Sequence, residues 1–81
     1  MYKVTKFEKR LKIETSQPYG SIKVFFAGNG KKTFNSISIT KFMALSHILE
    51  NDIVGYDPDK KIFLTPPEPA NFVQSPEGEI V

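Results

Sequence analysis

The sequence predicts an α+β domain in which an antiparallel β-sheet of three to four strands is followed by one α-helix. Three observations predict it. Apolar and charged residues alternate with period two in three early runs, turn-forming residues stand between those runs, and a helical period takes over at Thr40. The 81 residues fill one domain, and a chain this short buries only a modest share of its surface. A dimer is therefore expected, with a short C-terminal hairpin and an extended acidic tail completing the chain.

The first run spans Tyr2 to Ser16, where Phe7, Lys9, Leu11, Ile13 and Thr15 alternate with Glu8, Arg10, Lys12 and Glu14. It reads as a strand with one half-buried face. Gln17-Pro18-Tyr19-Gly20 supplies proline and glycine where a tight reverse turn favours them, so the second strand, Ser21 to Ala27, returns antiparallel. Its Ile22, Val24 and Phe26 share one face, and Lys23, Phe25 and Ala27 the other. Gly28-Asn29-Gly30 tolerates positive φ and makes the next turn. Lys31 to Ile39 follows as a third strand, with Phe34, Ser36 and Ser38 on one face and Thr33, Asn35, Ile37 and Ile39 on the other.

From Lys41 to Asn51, Phe42, Leu45, Ile48 and Leu49 recur at helical spacing, and Thr40 is the expected N-cap. The apolar stripe of a single short helix needs the sheet, and its expected partners are Leu11, Ile13, Ile22, Val24 and Ile37. Beyond the helix, two apolar runs at Ile53–Tyr56 and Ile62–Leu64 flank Asp57-Pro58-Asp59 and predict a small hairpin. Residues 66–81 carry four prolines, three acids and no basic group, the composition of an extended or disordered tail. The expected organisation is thus a β-β-β-α core at 1–52, a hairpin extension at 53–65 and the acidic tail at 66–81.

Charge is distributed unevenly. Residues 1–32 hold eight basic groups against two acids, and residues 50–81 hold two basic groups against seven acids, although the net charge is only +2. Such asymmetry points to a polyanion-binding half and an acidic half with another task. No cysteine is present, which excludes a disulfide framework and a cysteine zinc site. No stretch approaches the roughly 18 apolar residues of a membrane helix. A cytoplasmic protein is expected, in the host cytoplasm if the chain is viral, with association with the nucleoid open.

Residues for catalysis are few. His47 is the only histidine and stands among helical apolar residues, where a surface or core-edge place is expected. Asp52, Asp57 and Asp59 lack the spacing of a calcium loop. Gly28-Asn29-Gly30-Lys31-Lys32-Thr33 lacks the glycine spacing and following helix of a phosphate loop. No nucleophile, base and orienter converge, so a non-enzymatic binding protein without cofactor is expected.

What stands out is a basic sheet with interleaved aromatics. Lys9, Arg10, Lys12, Lys23, Lys31 and Lys32 lie on or between adjacent strands, and Tyr19, Phe25 and Phe34 lie in the same strands and turns. Cations follow phosphates, and aromatic faces stack on exposed bases, so these nine residues are the candidate site for single-stranded nucleic acid.

Asn35-Ser36-Ile37-Ser38-Ile39-Thr40, closing a strand and leading into a helix, resembles the Lys-Gly-Ile-Ser-Leu stretch of the positive cofactor 4 family. These are small single-stranded DNA-binding transcriptional coactivators with relatives in bacteria and phages. The resemblance covers about residues 5 to 51. It implies a homodimer whose sheets form a groove for single-stranded DNA in replication, recombination or transcription. It places Lys9 at the basic position of the first strand, Tyr19 at the stacking aromatic, Lys23 on the exposed face, and Lys31 and Lys32 in the basic loop. Asn35 and Ser36 depart from the motif's lysine and glycine, the second strand has no tryptophan, and Ala44 replaces an aromatic. The tail would dock replication or recombination proteins. The other reading is a small protein-interaction module or regulator that binds a protein partner through its sheet or tail.

Overall fold

The structure, a computed structural model, describes residues 1–81. It is an α+β fold. Strands β1 (Tyr2–Lys12), β2 (Tyr19–Phe26) and β3 (Gly30–Ser38) precede helix α1 (Ile39–Leu49), and β4 (Gly55–Asp57), β5 (Ile62–Leu64) and β6 (Gly78–Glu79) follow it. All six strands form one sheet in the order β5-β4-β1-β2-β3-β6. Every neighbouring pair is antiparallel except β3 and β6.

Two bulges decide which side chains meet the core. In β1, Val4 stands opposite Phe26 and Lys6 opposite Phe25, so Thr5 is an extra residue, and its hydroxyl donates to the Phe25 carbonyl at 3.2 Å. In β3, Ile37 stands opposite Gly20 and Phe34 opposite Ile22, leaving Asn35 and Ser36 to face Ser21 alone, with Ser36 at φ 51°. An extra residue shifts the side-chain alternation by one. Phe34 and Ile37 therefore share the core face, where strict alternation had set them on opposite faces.

Ile22, Val24 and Phe26 of β2 form the floor of the core, and Phe42, Leu45 and Leu49 of α1 cover them together with Ile37, Val54, Tyr56 and Ile80. Leu11 and Ile13, expected beneath the helix, are 45% and 66% exposed. The helix packs on β2 and β3 and does not reach this end of β1. Gly20, expected in a turn, lies within β2 and is buried against the Phe42 ring, which a β-carbon there would overlap. The chain reverses earlier, through residues 13–18, and Tyr19 already pairs with Lys12.

The N-cap is Ser38 and not Thr40. Its extended backbone (φ −62°, ψ 157°) lets Oγ accept from the Lys41 amide at 3.2 Å, which starts the helix two residues early. The β4–β5 hairpin forms as expected, with the Asp57 carboxylate accepting from the amides of Asp59 and Lys60 at 2.9 and 3.2 Å. It is more than an extension. Tyr2 pairs with Tyr56, and Tyr56 is fully buried, its ring stacked on Phe26 at 5.4 Å.

Residues 66–81 are extended in part, and from Val73 to Ile80 they are tied to the domain. Amides of Val73, Ser75, Gly78 and Ile80 donate to carbonyls of Met1, Ala27, Asn29 and Lys31 at 2.7–3.3 Å, Ser75 Oγ accepts from the Gly30 amide at 2.7 Å, and Ile80 enters the core. These amides find partners and one apolar side chain finds a place to bury, contacts that composition does not record.

Candidate nucleic-acid interface

Residues opposite one another on neighbouring strands share a face, so the register sorts the candidate side chains. With Ile22, Val24 and Phe26 turned to the helix, the alternate residues of β2 point outward. They form four rows with their neighbours: Lys12, Tyr19 and Ser38; Arg10, Ser21 and Asn35; Glu8, Lys23 and Thr33; Lys6, Phe25 and Lys31. No helix lies on this face. It holds five cations, one carboxylate from β1 and two aromatic rings.

Its relief is shallow. Glu8, Arg10, Lys23, Thr33 and Asn35 line a depression of about 410 Å³, and Lys6, Phe25 and Lys31 line a second of about 480 Å³ beside the β2–β3 turn. The Lys6 ammonium sits 4.6 Å from the centre of the Phe25 ring. Tyr19 is 38% exposed. The two rings stand six positions apart along β2, about 20 Å at strand rise. At the β3 edge, Thr33 Oγ1 donates to Glu79 at 2.8 Å, and Glu79 pairs with Lys31, so β6 places a carboxylate beside the cations.

Six of the nine expected residues thus come together here: Arg10, Lys12, Tyr19, Lys23, Phe25 and Lys31. The structure does not bring Lys32 and Phe34 to this face, and Lys9 only borders its first depression. Lys9 lies opposite Ile22 and rests its ammonium 5.9 Å from the Phe7 ring. Lys32 lies opposite Val24, donates to the Ile80 carbonyl at 3.4 Å, and stands over the rings of Phe34 and Tyr56 at 5.5 and 6.0 Å. Phe34 meets Phe63 at 6.0 Å.

Lys6 was missed, although its even position, shared with Arg10 and Lys12, carried the signal. His47 is exposed on the helix, and no group of three or more acidic or histidine side chains clusters as a metal site. Burial raises the Tyr56 phenol above its usual pKa, and the adjacent Asp57 carboxylate adds to the shift. The Tyr56 hydroxyl has no hydrogen-bond partner, and it belongs to the core and not to the basic face.

Compared with protein-family models, curated proteins and solved structures, the chain matches none of them.

Proposed function

We propose that this chain is a sequence-tolerant single-stranded DNA-binding protein of replication, recombination or transcription, which holds the strand on the outer face of β1, β2 and β3. One observation carries the reading: Phe25 and Tyr19 share an uncovered face with Lys6, Arg10, Lys12, Lys23 and Lys31. Phosphates follow the cations while bases stack on the two rings. Hydroxyl and amide groups at Ser21, Thr33 and Asn35 accept any base edge, which fits weak sequence preference.

In the same proposal two copies associate, so that their outer faces form one continuous groove. Glu77 and Glu79 edge that groove and weaken binding without abolishing it. A fluorescence titration with oligothymidylate at two salt concentrations tests the reading. Tight binding that weakens steeply with salt is expected, because phosphate contacts release counterions. Absent binding at low salt, or affinity indifferent to salt, refutes it. Mass measurement in solution reads the dimer directly.

One observation on the opposite side of the sheet, an apolar groove beside α1, favours a second reading in which the chain also binds a protein partner.

A further inference from the structure

On the helix side, away from the basic face, Phe34, Leu45, Ile48, Ile62 and Phe63 line a groove of about 390 Å³. Its two other lining residues are Lys41 and Lys61, both exposed, and no carboxylate lines it. Two strand edges border it. β5 ends the sheet and pairs only with β4, and β3 pairs on its outer edge with β6 only at Gly30 and Lys31. From Thr33 to Ser38 that edge of β3 is open.

The near end of the same edge is already occupied by the chain's own acidic segment. Gly78 and Glu79 run parallel to β3, Glu79 accepts from Thr33, Ile80 donates its amide to the Lys31 carbonyl, and the Ile80 side chain enters the core. Main-chain pairing, one carboxylate and one buried apolar residue hold it there. The far end offers matching features: an open edge, an apolar floor and two cations. Unpaired strand edges accept added strands, and alternate side chains of the added strand set the selectivity.

We infer that the groove between β3, α1 and β5 docks an extended acidic peptide segment of a protein partner, with apolar side chains alternating between its carboxylates. The apolar residues fill the space above Phe34, Leu45 and Phe63. The carboxylates meet Lys41 and Lys61. A nucleic acid is disfavoured because its bases would find no open aromatic face there, whereas a fatty acid would leave the strand edges unsatisfied. The site is independent of the DNA-binding face, so a strand and a peptide can be held at once.

The test is an NMR titration of the full chain with a capped Glu-Leu-Glu-Ile-Glu-Phe peptide, beside a version with glutamine for every glutamate. Amide shifts are expected at Thr33 to Ser38, Ile48, Ile62 and Phe63, with the glutamine peptide at least about tenfold weaker. The exposed-site double variant K41E/K61E should weaken the acidic peptide by about tenfold or more while its oligothymidylate affinity stays within about twofold. Loss of oligothymidylate binding by the wild-type chain with the peptide shifts intact would refute the DNA reading alone. No shifts at about 1 mM peptide, equal binding of the glutamine peptide, or shifts confined to Lys23 and Phe25 would overturn the inference. So would dodecanoate shifting the groove residues where the peptide does not, or the same shifts arising from protein concentration alone.

Discussion

Lys6 and Phe25 meet across β1 and β2, the ammonium 4.6 Å from the ring centre. The pair ends a register that runs unbroken from Lys12 opposite Tyr19 to Lys6 opposite Phe25, and the Thr5 bulge lies just beyond it. A cation beside a half-exposed ring offers a phosphate and a base their preferred partners at adjoining positions.

Stacking on these rings separates the aromatic residues into two functional groups. Phe25→Ala and Tyr19→Ala should each weaken oligothymidylate binding by about 1 to 3 kcal/mol, with little change in urea midpoint. Phe34→Ala should do the reverse, since its half-buried ring packs on Phe63 at the margin of the core. A stability loss of about 2 kcal/mol is expected there, with affinity retained by the folded fraction. Equal affinity losses at Phe25 and Phe34 would contradict the assignment of faces.

Salt dependence counts the cations. If Lys6, Arg10, Lys12, Lys23 and Lys31 all neutralise phosphates, log affinity should fall against log salt with a slope of about −3.5 per protomer for a single strand. Alanine at any one of them should reduce the slope by about 0.7, whereas Lys32→Ala should leave it unchanged and act on stability through its lost contact with Ile80. Slopes measured by fluorescence titration across a salt series distinguish the two outcomes.

Helix initiation rests on one hydroxyl. Ser38→Ala removes the acceptor of the Lys41 amide and should destabilise the fold by about 1 kcal/mol in urea denaturation. Thr40→Ala, inside the helix, should change stability by less than about 0.5 kcal/mol. Substitution by glycine at Ser38 should cost only a few tenths of that amount, as caps generally tolerate glycine.

Alkali should act through Tyr56. Its pKa is raised in the folded chain by burial first and Asp57 second, so the native state holds the phenolic proton more tightly than the unfolded state. Stability from this group is fully present below about pH 10 and is lost as pH rises beyond it, at up to about 1.4 kcal/mol per pH unit. Tyr56→Phe removes the buried hydroxyl that lacks a partner, so it should be near neutral at pH 7 and flatten the decline above pH 10. Parallel urea curves for both chains at pH 7, 10 and 11 read the difference.

Much of the fold was legible because periodicity and turn chemistry are local. Ile22, Val24 and Phe26 announced the buried face of β2 by alternation alone, and Asp57-Pro58-Asp59 announced a hairpin that formed. The candidate site was legible wherever alternation ran unbroken: Arg10 and Lys12 on β1, Tyr19, Lys23 and Phe25 on β2. It failed where a bulge intervened. Phe34 and Lys32 lie on the same stretch of β3, and their face depends on the register of pairing with β2, which no local pattern records. Lys9 was counted with the other strand cations although its odd position, shared with Phe7, set it on the helix side.

By itself the sequence determined the three-strand and helix order, the hairpin, the charge asymmetry and the outward character of β2, since each follows from residues close together in the chain. Tertiary structure alone decided that β4 joins β1, that Ser36 bulges, and that Gly20 must lack a side chain to admit Phe42. It alone also placed the acidic segment against β3. These are contacts between residues far apart in the chain, and their geometry depends on both partners at once, so neither partner's local pattern can specify them.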